Sequence, residues 1–212
     1  MLRLLTISLL LYGSLCVASD MDKAIAQLQK DWAMANYQTD AANTEQAFEN
    51  LTKSAEKIIS DYPNKAEPLI WKAIIVSSDA GKNGGLSALS KVKRARELLL
   101  KAETINPQAL NGSIYTSLGS LYYLVPGWPL GYGDHAIAKK YLQKALQLNP
   151  EGIDSNYFYG DYLIEEGQYQ MALTYLNKAL KAKPRSNRPL ADQGRRNEIR
   201  EKIEKAQAYL KG

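Results

Sequence analysis

Between Ile153 and Pro184, small residues and a proline fall at intervals that two crossing helices require: Gly160, Gly167, Ala172, Ala179 and Pro184, with Leu176 between the alanines. Gly160 and Ala172 stand where the backbones of two antiparallel helices approach. Ala179 stands where a following helix packs, and Pro184, lacking a backbone N–H, stops the second helix. Tyr175, Leu176, Ala179 and Leu180 share one apolar face at helical spacing. The same marks precede this unit at Leu118, Gly119, Tyr122, Gly133, Asp134, Ala138, Ala145 and Pro150, with about seven more residues between the two halves. A chain so spaced folds as a stack of helical hairpins.

These are the intervals of the tetratricopeptide repeat (TPR). The chain therefore reads as all-α, a TPR-like α-α superhelix of right-handed hand with about four helix pairs, in units over 21–63, 66–107, 112–150 and 153–184. In the second unit Ala95, Leu99, Ala102 and Pro107 keep the register, and Leu69, Trp71, Ala73 and Val76 supply the first helix. The first unit is the most degenerate, as terminal repeats with one wet side are. Its helices are expected over 21–36, carrying Trp32 and Ala35, and 44–60. A charged amphipathic helix over 192–210, with Ile199, Ile203, Ala206 and Leu210 on its apolar face, is expected to cap the array. Two inserts interrupt the hairpins. One, from Asp79 to Ser87, is rich in Gly and Lys. The other, Val125-Pro126-Gly127-Trp128-Pro129-Leu130-Gly131-Tyr132, holds two prolines and two glycines that forbid continued helix.

The N-terminus has the order of a secretory leader: Arg3, an apolar run from Leu4 to Leu11, then small residues at Gly13, Ser14, Cys16, Ala18 and Ser19. The run is short for a transmembrane helix. Cleavage is expected after Ala18 or Ser19, giving a signal peptide over 1–19 and a periplasmic mature protein. Leu15 before Cys16 disfavours a lipid anchor. The leader holds the one cysteine, so neither disulfide nor thiol chemistry is expected of the rest. The formal net charge of +5 falls to +4 without Arg3, too mild to argue for nucleic acid.

Three stretches carry a closer resemblance: Gly84-Gly85-Leu86-Ser87-Ala88-Leu89, Tyr122 to Asp134 with its Pro126-Gly127-Trp128-Pro129 core, and Leu148 to Asp161. Over roughly 65–200 they resemble exported bacterial TPR proteins of the kind associated with periplasmic TRAP-type solute transporters. That resemblance implies a periplasmic helper that docks a solute-binding protein or holds an apolar ligand.

Catalytic constellations are lacking. His135 is the only histidine, no G-x-S-x-G elbow exists, and a transition-metal site would need more His or Cys. The stretch Gly81-Lys82-Asn83-Gly84-Gly85 fails the phosphate-loop spacing, with Val76 and Asn83 where Gly and Ser or Thr are required. Glu165 and Glu166 are sequence neighbours and point to different sides of a helix. No cofactor is called for, and the chain reads as non-catalytic; the alternative is a glycan- or envelope-acting enzyme using Asp and Glu side chains.

TPR arrays present first-helix residues on a concave face. Here these are Thr116, Ser120 and Tyr123 from one unit, and Asp154, Tyr157, Asp161 and Glu165 from the next. With Trp128 and Tyr132 of the stiff insert, they are the candidate surface for a partner protein or small apolar ligand. Residues 181–212 hold ten basic and four acidic residues, a solvated face or a site for an acidic partner or lipid headgroups.

Overall fold

Helix starts in this chain fall at residues that can satisfy the first free backbone N–H groups. In the computed structural model, which describes residues 19–211, Ser19 and Asp22 form a reciprocal capping box at the start of α1 (Asp20–Tyr37). Asp40 caps α2 (Ala41–Asp61) and Asp134 caps α6 (His135–Leu148), each carboxylate accepting a backbone N–H of the first turn. Between them lie α3 (Ala66–Asn83), α4 (Ala88–Ile105) and α5 (Ser113–Leu124). The chain continues through α7 (Ile153–Glu165), α8 (Tyr169–Lys181) and α9 (Pro189–Lys211). The leader expected over residues 1–19 lies outside the described residues except for Ser19.

Consecutive helices pair as α1/α2, α3/α4, α5/α6 and α7/α8, and each pair stacks on the next. The odd-numbered helices also touch their odd-numbered neighbours, so they form one continuous inner wall. The result is an all-α solenoid of four helical hairpins and a ninth helix, with no strand among the described residues.

The small residues do the work their spacing implies. A Cβ on Gly160 would lie 2.7 Å from Leu176 Cγ, and one on Gly119 would lie 2.5 Å from Leu142 Cγ, so the same crossing recurs in both units. Ala138, Ala145, Ala172 and Ala179 are fully buried, as are Ala95 and Ala102 one unit earlier. Such contacts are close-packed, and a larger side chain has no room there.

Two expectations are corrected. Asp79 does not open a loop: α3 continues to Asn83, whose amide donates to Asp79 Oδ1 at 2.6 Å, and the connection shrinks to Gly84–Ser87. Lys91 on α4 pairs with the other Asp79 oxygen at 2.8 Å, so the insert lengthens a hairpin instead of unwinding it. The second correction concerns α9. It starts three residues earlier than expected, and besides capping α8 it reaches α1. Ala191 is buried in the same apolar cluster as Ile25, Leu28, Trp32 and Trp71. The last helix therefore joins the core of the first unit.

Candidate binding site

The inner wall of α7 is not an open surface, because α9 lies along it. Arg195 donates to Asp154 Oδ1 at 2.9 Å, Lys202 pairs with Asp161 Oδ1 at 2.5 Å, and Lys205 reaches Glu165 at 3.4 Å. Residues spaced one helical heptad apart on each helix thus meet in order along two helices that run side by side. The remaining Asp161 oxygen accepts from the Tyr123 hydroxyl at 2.8 Å. Burial and the neighbouring Asp161 carboxylate push the Tyr123 hydroxyl well above its ordinary range. The Arg195 guanidinium lies over the rings of Tyr157 and Phe158 at 4.4 and 4.8 Å. Of the expected concave-face residues, Tyr123, Tyr157 and Asp161 are therefore buried against the chain itself, while Glu165 sits at the exposed end of the ladder.

Part of the basic C-terminal stretch is spent in the same way. Arg185 bridges Asp154 and Asp192. Arg195 also pairs with Glu198, and Arg196 donates to the carbonyls of Leu180 and Ala182 where α8 ends. A cation on those last carbonyls also complements the helix dipole. Burial alone would raise the Asp154 carboxyl, but Arg195 and Arg185 outweigh it and hold that carboxyl well below the usual carboxylate range.

Thr116 and Ser120 have a different setting. They line a partly open pocket of about 120 Å³ between the inner wall and the chain entering α9. Its walls bring together Trp32, Trp71 and Phe158 with Arg185, Arg188 and Arg195, three guanidiniums against the single carboxylate of Asp154. The hydroxyls of Ser77, Ser113, Thr116 and Ser120 donate back to backbone carbonyls three or four residues earlier in the chain. Their lone pairs are what they can offer the cavity. Beyond Ser77, Ser78, Ser120 and Phe158, which line both spaces, an apolar groove of about 500 Å³ runs outward between the α3–α4 and α5–α6 connections.

The α5–α6 connection, Val125–Asp134, is fixed from inside. Gly133 donates to Pro126 O at 3.0 Å and Asp134 N–H to Tyr122 O at 2.8 Å. A Cβ on Gly133 would collide with Val125 O, so the two limbs of the loop touch only because that residue is glycine. Tyr132 folds back: its hydroxyl donates to Val92 O at 2.9 Å, and its ring sits edge-on to Tyr122 with Arg96 4.9 Å over its face. Trp128 does the opposite. It is 90% exposed, beside Leu130 at 70% and Leu124 at 61%. Among the two loop residues expected at a binding surface, one anchors the loop and the other is presented by it.

His135, exposed at the start of α6, meets Glu166 Oε1 through Nδ1, while Glu165 turns to Lys205. The two adjacent glutamates thus diverge, as neighbours on a helix do. Among the described residues no group of three or more His, Cys, Asp and Glu converges on a metal position. Sequence reasoning missed Arg188 and Trp71, because they meet only where the loop before α9 crosses α3. The matched seven-residue spacing of Asp154/Asp161 and Arg195/Lys202 was the available signal for the α7–α9 ladder.

Residues 130–192 match the family described as tetratricopeptide repeat. No curated protein matches the chain. Among solved structures, a crystal structure of MamA is 19% identical, covering 82% of this chain and 96% of its own, with a TM-score of 0.45. A second MamA crystal structure is 20% identical over 88% of this chain and 92% of its own, with a TM-score of 0.46. A thermophilic TPR protein of Thermus thermophilus is 17% identical over 82% of this chain and 98% of its own, with a TM-score of 0.41. The match over 130–192 spans α6, α7, α8 and the start of α9, the stretch with the most regular repeat marks.

Proposed function

We propose that this chain is a non-catalytic, periplasmic interaction module that docks a partner protein through the apolar rim on its α5–α6 connection. The observation that carries the reading is the contrast within one loop: Tyr132 is pinned to α4 and α5, and the indole of Trp128 is held out in solvent. An isolated exposed aromatic is unremarkable, but this one has apolar neighbours at Leu124 and Leu130, on a loop tied by the hydrogen bonds of Tyr132, Gly133 and Asp134. Little conformational entropy then remains to be lost on binding, and a rigid aromatic anchor is the usual centre of an interface. The concave face of α7, the ordinary docking surface of such arrays, is already filled by α9.

The partner we favour is the solute-binding protein of a TRAP-type transporter, on the resemblance carried by the Pro126-Gly127-Trp128-Pro129 loop and its flanks. Immobilised full chain would be offered that protein at physiological salt. The expected result is retention by the wild type and a loss of about 2 kcal/mol of binding in Trp128→Ala, with an unchanged melting temperature. Retention undiminished by Trp128→Ala would remove the rim from the interface, and no retention by the wild type would remove this partner. N-terminal sequencing of the exported form, expected to start at Ser19 or Asp20, tests the location separately.

A further inference from the structure

The connections that lead from an odd-numbered helix to the even-numbered helix after it lie along one edge of the solenoid. Leu130 of the α5–α6 connection and Gly85 of the α3–α4 connection line one groove, and His135 at the start of α6 meets Glu166 at the end of α7. α9 runs beside α7 and ends at the same edge, where the Tyr209 ring stacks on Tyr169 at 4.6 Å. Nine large apolar side chains are exposed among the described residues, and eight of them stand at this edge. Met34 lies in the last turn of α1, and Leu86 is fully exposed in the α3–α4 connection. Leu124, Trp128 and Leu130 follow around α5–α6, Met171 lies in the first turn of α8, and Tyr209 and Leu210 close α9. The ninth, Leu148, is at the other edge, where the even-to-odd connections expose Asn64, Lys65, Gln108, Asn111, Lys183 and Asn187. Exposed apolar residues scattered singly are ordinary, but gathered from successive hairpins onto one edge they mark a contact.

Charge selects what the edge meets. Within about two helical turns of the tips of the last three hairpins and α9 stand Lys82, Lys93, Lys139, Lys140 and Lys211, all exposed and without an ion pair among the described residues. Of the carboxylates at that depth, Asp79 pairs with Lys91, Asp161 with Lys202, Glu165 with Lys205 and Glu166 with His135. Asp134 caps α6, which leaves Glu204 against the five lysines. A second copy of this edge would set those lysines against one another, whereas an anionic surface answers them. Among the described residues no helix is long and apolar enough to cross a membrane, so contact with lipid is confined to the surface.

We infer that this edge rests on an anionic lipid bilayer, with Leu86, Trp128, Leu130, Met171 and Leu210 in the interfacial layer and the lysines among the headgroup phosphates. Tryptophan and tyrosine favour that layer, and the long stems of lysine carry their charge back to the phosphates. Apolar area and attraction to anionic headgroups then act together, as they do for other chains that lie on a membrane without spanning it. The inference does not rest on the docking reading. The edge extends well beyond Trp128, and a partner protein and a bilayer meet that indole in turn, not together.

The test uses the chain beginning at Ser19, which carries every described helix and lacks the apolar run of residues 4–11. It is pelleted with vesicles of phosphatidylcholine, alone or with added phosphatidylglycerol, and its helical content and mass are recorded without lipid. Binding to the anionic vesicles is expected to be roughly ten-fold or more tighter than to the neutral ones, and to weaken with salt. Indole emission should shift to the blue as Trp128 leaves water, since Trp32 and Trp71 are already buried. Leu86→Ser combined with Met171→Ser and Leu210→Ser leaves Trp128 in place and should weaken binding roughly ten-fold or more at unchanged helical content. Lys139→Gln with Lys140→Gln should weaken binding to the anionic vesicles roughly ten-fold and leave the neutral ones unaffected. Equal affinity for the two kinds of vesicle, or undiminished affinity in the triple variant, would overturn the inference. So would a lipid-free dimer that the triple variant dissociates, because a second copy would then cover the edge. None of these outcomes touches the docking reading, which is read on a partner protein without lipid.

Discussion

Gly194, on the inner side of α9, lies against the ring of Tyr37 at the end of α1: a Cβ added there would sit 2.5 Å from three of its ring carbons. Glycine inside a helix normally costs roughly 0.5–1 kcal/mol relative to alanine, so its use in α9 records how closely the last helix approaches the first. Gly194→Ala is therefore expected to lower stability despite its better helix propensity. Urea unfolding of the two proteins checks the sign. A gain in stability would mean that Tyr37 gives way freely.

The crossing of α7 and α8 should respond to volume. Ala172 has no exposed surface and sits one turn from Leu176, which already fills the space left by Gly160. Ala172→Leu is expected to overpack the hairpin and cost roughly 1–3 kcal/mol, measured as a fall in the denaturation midpoint.

Asp154 gives stability a dependence on pH. Its carboxyl is depressed in the folded chain by Arg195 and Arg185, so the unfolded chain takes up the proton first as pH falls. The stabilisation it provides is complete above the ordinary carboxyl range near pH 4 and drains away below it, as pH drops toward the folded value. Asp154→Asn should cost about 2 kcal/mol at neutral pH, between the values of exposed and fully buried pairs, because the side chain keeps some exposure toward the cavity. The gap between wild type and variant should narrow steadily as the pH of the melt is lowered from 4 to about 2. A gap independent of pH would show that the carboxylate's charge is not what matters.

The two aromatics of the α5–α6 loop should separate in a melting experiment. Tyr132→Phe removes the bond to Val92 O and is expected to cost about 1 kcal/mol, whereas Trp128→Ala should stay within about 0.5 kcal/mol of wild type. A large loss for Trp128→Ala would mean that the indole packs in solution.

Much of this architecture is legible in residue spacing. Gly119, Gly160, Ala138 and Ala172 mark helix crossings because only small residues fit there, and Pro107, Pro150 and Pro184 follow the second helices they terminate. These are local constraints, visible within one hairpin. The Gly and Lys content of the α3–α4 insert reads as loop, yet a side-chain bond from Asn83 to Asp79 carries the helix another turn. Concave-face residues such as Tyr157 and Asp161 are identifiable from the register, but not that α9 covers them. That depends on how far the stack has turned by its fifth layer, a sum of small rotations that no single repeat encodes. The Arg188–Trp71 pair is hidden for the same reason, since it joins residues far apart in sequence.

In an open repeat array each layer answers only to its neighbours, and the ends come loose first. Here Ala191 and Gly194 of α9 share packing with Trp32 and Tyr37 of α1, so neither end has a free face on that side. Fraying α1 also strips apolar cover from the start of α9, and the reverse holds as well. Loss of structure then propagates from both ends together, and equilibrium unfolding becomes one concerted transition instead of a layer-by-layer retreat. Amide hydrogens of α1 should exchange with protection close to that of α7, a pattern foreign to a linear stack.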